Sequence, residues 1–250
     1  MKNSSNTIFV CSNCDAQFAK WTGKCLECGK WGTIVESKKS ITTNSKTDVG
    51  TYAPLELTEL SVIAKEKSER ITTNIAELDR VLGGGLVPGS LILLGGEPGI
   101  GKSTLALQFA ASLAHSLYIS GEESVEQIKL RAERLGIASN KNLTLKIGNT
   151  SILENIMETI RQNKECRLVI IDSIQTIQAT DIEGSAGNIN QVRACTTKLL
   201  ELAKTTHKTI VLIGQVTKDG AVAGPKTLEH LVDAVLYLEG DKYHLFRILR

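Results

Sequence analysis

The sequence predicts an α/β protein with a mostly parallel sheet, joined to a small N-terminal module of four cysteines. Three observations carry that prediction. The run GGEPGIGKST at 95–104 has the spacing of a Walker A phosphate loop. From about Ile71 onward, short aliphatic runs alternate with helical patterns, as in strands linked by crossover helices. Four of the six cysteines crowd one end of the chain.

The cysteine module spans residues 8–36. Cys11, Cys14, Cys25 and Cys28 follow a C-x2-C-x10-C-x2-C spacing. Each CxxC pair aims two sulfurs at one point, and two pairs complete a tetrahedron, so a structural Zn²⁺ is expected. Redox chemistry is the other reading of a CxxC pair, and the double pair at this interval matches zinc better. A module this short cannot bury an adequate core, so metal must supply much of its folding energy. Gly29 can take a positive φ where the second pair turns, and Asp15 holds the matching place after the first. Residues 1–40 carry six lysines against three acids, and four thiolates on Zn²⁺ cancel most of that excess. Both tryptophans, Trp21 and Trp31, lie here. Packing against the ribbon is one reading for them, and stacking on a base or a partner is the other.

Residues 37–60 are rich in Ser, Thr and Lys and read as a linker. The core is expected over 61–250. Strand-like runs fall at 91–94, 117–120, 143–147, 168–171, 210–213 and 234–238. Helical patterns fall at 102–115, 124–135, 151–163 and 189–206. The tail at 243–249 reads as one more strand, pairing with 234–238 through a turn at Gly240 and Asp241. Loops at 181–188 and 217–226 are glycine-rich, and both read as mobile.

The loop itself comprises Gly96, Glu97, Pro98, Gly99, Ile100, Gly101, Lys102, Ser103 and Thr104. Its glycines let backbone N–H groups turn inward around a polyphosphate. Lys102 can reach the β- and γ-phosphates, and Ser103 offers a hydroxyl to Mg²⁺. The aliphatic run at 168–171 ends in Asp172, placed to hold Mg²⁺ through water. Glu122 and Glu123 follow the strand at 117–120. Either could orient an attacking water, and Glu122, the first acid after Gly121, is preferred. The same pair would also favour the dipole of the following helix. Gln215, just past the strand at 210–213, is placed to sense a γ-phosphate.

Composition narrows the field. Of 250 residues, 42% are hydrophobic and 4% aromatic, so aliphatic side chains must fill the core. A formal charge of +2 excludes a polycation, so any nucleic-acid contact must come from local clusters. No apolar stretch is long enough for a transmembrane helix, and the N-terminus lacks a signal-peptide core, so a cytoplasmic setting with no membrane partner is expected. Cys166 and Cys195 read as core or semi-buried thiols, and the four histidines have no ligand spacing.

Taken together, these motifs resemble the RadA (Sms) DNA-repair ATPases of bacteria. The likeness runs through the four-cysteine ribbon with Trp21, Gly23 and Trp31, the run LDRVLGGGLVPG at 78–89, the phosphate loop, SGEES at 120–124, and AGPKTLEH at 223–230. It implies a RecA-like P-loop ATPase core binding ATP and Mg²⁺, with an N-terminal zinc ribbon. It further implies hexameric rings on single-stranded DNA, branch migration of recombination intermediates, and action with RecA recombinase. Carried over by motif, Lys102 and Ser103 are the Walker A contacts, Glu122 the catalytic acid and Asp172 the Walker B acid. Loops 179–190 and 217–226 would face DNA. Gln215 stands where the family has His, and Asp15 where it has Gly. The resemblance runs out near Arg250, where the family continues into a Lys-Asn-Arg-Phe-Gly motif and a Lon-protease-like domain.

Two functional classes remain open on the sequence. One is a DNA-dependent, helicase-like ATP hydrolase. The other is a zinc-dependent DNA- or partner-binding scaffold that uses ATP as a conformational ligand with little turnover. RecA-type strand exchange is a weaker third reading.

Overall fold

A computed structural model describes residues 8–12, 17–18, 20–26, 29–37, 57–59, 61–62, 69–139, 144–215, 228–241 and 246–250. Cys14, Asp15, Cys28, most of the 37–60 linker and the 217–226 loop lie outside these residues. The chain divides into two compact units, Met1–Ala64 and Lys65–Arg250.

In the first unit, β1 (Ile8–Cys11) pairs antiparallel with β2 (Gln17–Phe18) on one side and β3 (Ile34–Ser37) on the other. Register places Phe9 opposite Phe18 and Cys11 opposite Ile34. Cys11, Cys25 and Ile34 are buried together, with Phe9 and Phe18 packed against them. The Cys11 thiol also lies 3.2 Å from Thr33 Oγ1. Past Cys25 the chain turns back on itself: Gly29 N–H donates to the Cys25 carbonyl at 2.9 Å. Gly29 holds φ +71 there, a conformation that favours glycine, as the sequence led us to expect.

The second unit begins with the short helix α1 (Ala76–Val81), then runs β4 (Leu91–Gly96), α2 (Lys102–Ser112), β5 (Ser116–Ser120), α3 (Val125–Arg134), β6 (Lys146–Asn149) and α4 (Leu153–Gln162). It continues through β7 (Leu168–Asp172), α5 (Ile189–Thr206), β8 (Thr209–Ile213), β9 (Ala234–Gly240) and β10 (Arg247–Leu249). The seven strands form one sheet, in the order β10-β9-β4-β8-β7-β5-β6. Every pairing is parallel except β10 with β9, where Ile248 faces Glu239 and Leu249 faces Leu238. This is the expected α/β class with a mostly parallel sheet.

Strands β4, β5, β7 and β8 are buried along their whole length, as parallel strands covered on both faces must be. Their side chains alternate between two cores. Leu91, Leu93, Val169, Ile171, Ile210 and Leu212 pack beneath α4 and α5. Ile92, Leu94, Ile170, Val211 and Ile213 pack against α2 and α3 on the opposite face. Fully burying each such side chain contributes about 1.5–3 kcal/mol, so the sheet's aliphatic runs dominate stability. Among the described residues no helix is long and apolar enough to cross a membrane.

Helix ends differ from the sequence reading in one informative way. The pattern at 102–115 suggests a helix to His115, but α2 stops at Ser112. Leu113 is already extended, and His115 takes φ +56 to turn the chain into β5. By contrast, α3 starts on a full capping box, with Ser124 Oγ accepting from Gln127 N–H and Gln127 Oε1 accepting from Ser124 N–H. Such a box fixes a helix start at the residue level.

Candidate nucleotide-binding site

The strand order decides where function can sit. The carboxyl ends of β4, β8, β7 and β5 lie side by side, and ligands of open α/β sheets bind along such an edge. Each of these four strand ends delivers a residue singled out by the sequence: the loop with Lys102 and Ser103, then Gln215, Asp172 and Glu122. All five line one cleft of about 310 Å³, together with Gly99, Thr104 and Arg131.

The phosphate loop is held open by its own geometry. A side chain at Gly96 would meet the Leu238 carbonyl of β9 at 2.5 Å, so only glycine lets the loop leave β4 this close to its neighbour. Ile100 packs inward with the core around β4, which leaves Pro98, Gly99 and Gly101 on the cleft side. Lys102 is 6% exposed. Its amine donates to the carbonyls of Gly96 and Glu97, both at 2.9 Å. Burial pushes the amine below its usual pKa, opposed by the negative charges of Asp172 and Glu122. The site therefore presents a buried ammonium held on loop carbonyls at a helix N-terminus, an environment suited to a phosphate group.

The two acids have distinct surroundings. Asp172 is 5% exposed, and its Oδ2 accepts a 2.5 Å hydrogen bond from Tyr118 Oη. Burial first, and then the Asp172 charge, push the Tyr118 phenol far above its usual pKa, so it remains a donor. Glu122 Oε1 accepts from Ser173 Oγ at 2.5 Å. Glu123 instead pairs with Arg131. The backbone N–H groups of both glutamates are fixed by Ser120 Oγ, at 3.1 and 2.9 Å. The sequence left Glu122 and Glu123 as alternatives. The geometry puts Glu122 on the cleft wall and Glu123 on a helix cation.

Gln215 reaches the same cleft, and its backbone carbonyl accepts from Gln175 Nε2 at 3.4 Å. Chemically, the cleft offers a cation for phosphate, a hydroxyl and a carboxylate as hard oxygen ligands suited to Mg²⁺, and a second carboxylate for a water. In the ribbon, Cys11 and Cys25 come together in the buried centre, as two ligands of a soft metal site would. Cys14 and Cys28 lie outside the described residues.

Sequence reasoning missed several residues. Tyr118 and Ser173 touch the two acids only because β5 and β7 are neighbours, with Ser120 beside Asp172. Arg131 was legible: it shares the buried face of α3 with Ile128 and Ala132, and a charge on such a face signals a partner. A second, more apolar groove of about 230 Å³ adjoins the loop, sharing Gly101 and Thr104 and lined by Leu105, Gln108, Arg247 and Leu249. The expected mobile stretch 181–188 is pinned at its start. Gln191, 1% exposed, accepts from Ala179 N–H and donates to the carbonyls of Ala179, Ile182 and Gly184.

Comparison with known proteins agrees with this picture. Residues 57–221 match the family model described as AAA domain, and residues 9–36 match the one described as Rubredoxin metal binding domain. The DNA repair protein RadA of Listeria monocytogenes is 47% identical over 253 aligned residues, covering 100% of this chain and 54% of the relative. That of Bacillus subtilis is 45% identical, over 97% of this chain and 54% of the relative. That of Haemophilus influenzae is 43% identical, over 100% and 55%. The chain spans about half the length of the curated relatives it matches. With the phosphate loop and the parallel sheet in place, the chain belongs to the AAA domain family, and over its whole length it is similar to the proteins named DNA repair protein RadA.

Proposed function

We propose that this chain is the ATP-binding and hydrolysing part of a DNA-repair motor whose turnover responds to single-stranded DNA. The observation that carries the reading is the convergence of Lys102, Ser103, Glu122, Asp172 and Gln215 on one cleft from four adjacent strand ends. Lys102 exchanges its loop carbonyls for the β- and γ-phosphate oxygens. Ser103 and Asp172 hold Mg²⁺, which supplies charge neutralisation on the phosphates when bound. Tyr118 orients Asp172. Glu122, itself aligned by Ser173, positions a water and takes its proton. Gln215 reads the γ-phosphate and passes its presence toward the 217–226 loop. The groove lined by Leu105 and Arg247, which shares Gly101 and Thr104 with the loop, receives the nucleoside.

Zinc held by Cys11, Cys14, Cys25 and Cys28 stabilises the ribbon. Loops 179–190 and 217–226 contact DNA, and in the full-length protein six copies form a ring that drives branch migration of branched recombination intermediates together with RecA. The names of the relatives, DNA repair protein RadA, support the setting in repair. The test is steady-state ATP hydrolysis, with and without single-stranded DNA, by this chain and by a form extended to its relatives' length. DNA-stimulated turnover abolished by Lys102→Ala is the expected result. Turnover in the extended form that ignores DNA would contradict the reading.

A further inference from the structure

The ribbon carries a surface that its metal does not explain. Trp31 is 75% exposed and Trp21 is 61% exposed, in a unit too small to spare large aromatic side chains for the solvent. Neither ring hangs loose. Trp21 Nε1 donates to the Ile34 carbonyl at 3.2 Å, which anchors one edge of a ring that stays largely exposed. Trp31 sits in an antiparallel bridge with Lys24.

The two rings meet over one glycine. A Cβ built on Gly23 would lie 3.7 Å from Trp21 Cη2 and 3.7 Å from Trp31 Cζ3. Gly23 has no left-handed φ, unlike Gly29 and Gly32, so its backbone does not call for glycine. A Cβ there would touch both indoles in ordinary van der Waals contact, so Gly23 lies between the two rings.

Three lysines accompany the two rings. Lys20 and Lys30 directly precede Trp21 and Trp31 in the chain, and both are exposed. Lys24 lies over the Trp31 ring, 5.9 Å from its centroid, at the outer edge of cation–π range. Its four-carbon stem lets it swing from the ring to a nearby anion. Fixed aromatic faces interleaved with lysines form the surface on which unpaired bases stack while the phosphates meet cations. A protein partner would call for an acidic or apolar counter-surface, and three lysines among two rings favour the polyanion.

We infer that the Trp21–Gly23–Trp31 face of the ribbon is a stacking platform for one or two unpaired bases of single-stranded nucleic acid, with Lys20, Lys24 and Lys30 on its phosphates. The residues of this contact all belong to the first unit, and those of the nucleotide cleft to the second. The contact rests on the proposed function only in taking DNA as the strand.

The chain has only two tryptophans, both in the ribbon, so indole-selective emission reports this unit alone. Oligo(dT) is titrated into the whole protein without ATP. Tryptophan emission and the anisotropy of a label on the oligonucleotide are followed together. Saturable quenching is expected, with none from poly-glutamate. Trp31→Ala should weaken the quenching transition roughly 5- to 100-fold, while Trp31→Phe retains most of it. Because Trp31 is exposed, Trp31→Ala should fold as the parent does, which a thermal melt checks. Anisotropy that reports binding while emission stays flat would overturn the inference and leave the DNA-dependent function standing. Silence in both signals would overturn both. Quenching by poly-glutamate equal to that by oligo(dT) would assign the face to acidic proteins and also overturn it.

Discussion

The Tyr118 phenol on β5 and the Asp172 carboxylate on β7 share a 2.5 Å hydrogen bond at the floor of the nucleotide cleft. Both groups are buried, so the bond is shielded from water, and removing one partner leaves the other short of a hydrogen bond. Such a loss costs about 1–3 kcal/mol. Tyr118→Phe keeps the ring in the core and removes only the donor. We expect the Mg²⁺ concentration needed for half-maximal ATP turnover to rise about 5- to 100-fold, with overall fold retained. Titrating Mg²⁺ against turnover tests this, and an unchanged midpoint would show that Asp172 does not depend on Tyr118.

The phenols also set an alkaline limit. Tyr118 is raised far above its usual value, chiefly by burial and then by Asp172. Tyr237 is raised to about 12, by burial and by its bond to Glu229. The unfolded chain releases these protons near pH ~10, whereas the fold retains them. Their stabilising contribution is therefore complete below about pH 10 and lost as pH climbs beyond it. Thermal melts from about pH 9 to 12 should fall more steeply for the parent than for a Tyr118→Phe, Tyr237→Phe variant. Parallel curves would contradict this linkage.

Gln191 joins α5 to the segment at 179–184 through four hydrogen bonds from one buried amide. Truncating it leaves three carbonyls and an N–H without that partner. Gln191→Ala should lower stability by about 2–4 kcal/mol, read by denaturant unfolding. It should also raise proteolytic cleavage at 181–188 well before global unfolding. A variant as stable as the parent would mean that the segment is held by other contacts.

The cysteines separate by chemistry. Burial pushes the Cys195 thiol up to about 11 and raises Cys166 as well. Little thiolate exists at neutral pH, and the thiolate is the reactive form. Neither should alkylate in the native core. The ribbon cysteines should alkylate only after a chelator removes the metal, and tryptophan emission should shift at that step while the core melt stays in place. Alkylation of Cys195 in the native protein, located by peptide mapping, would contradict the burial argument.

Much of this fold is legible because the sheet is covered on both faces. Runs such as LILL at 91–94 and LVII at 168–171 have no other place to go. The elements that went unread are those with weak local signals. Helix α1 is six residues long, buries only Leu78 and has no side-chain cap. The site shows the same division. Asp172 ends a strand, Glu122 and Gln215 follow just past strand ends, and Lys102 opens the helix after the loop, all places that a linear reading can find. Tyr118 and Ser173 act across a strand pairing that no local pattern specifies. Arg247, beside Gly101, reaches the loop only because β10 returns antiparallel along β9.

The central claim is that Glu122, aligned by Ser173, serves the hydrolytic water while Lys102 serves the phosphates. The most direct measurement follows ATP binding and single-turnover hydrolysis on the same samples of parent and Glu122→Gln protein. Glutamine keeps the size and loses the base, so we predict ATP affinity within about threefold of the parent and hydrolysis slowed by about 10²- to 10⁴-fold. A Glu122→Gln protein that binds ATP and hydrolyses it at the parent rate would contradict the account.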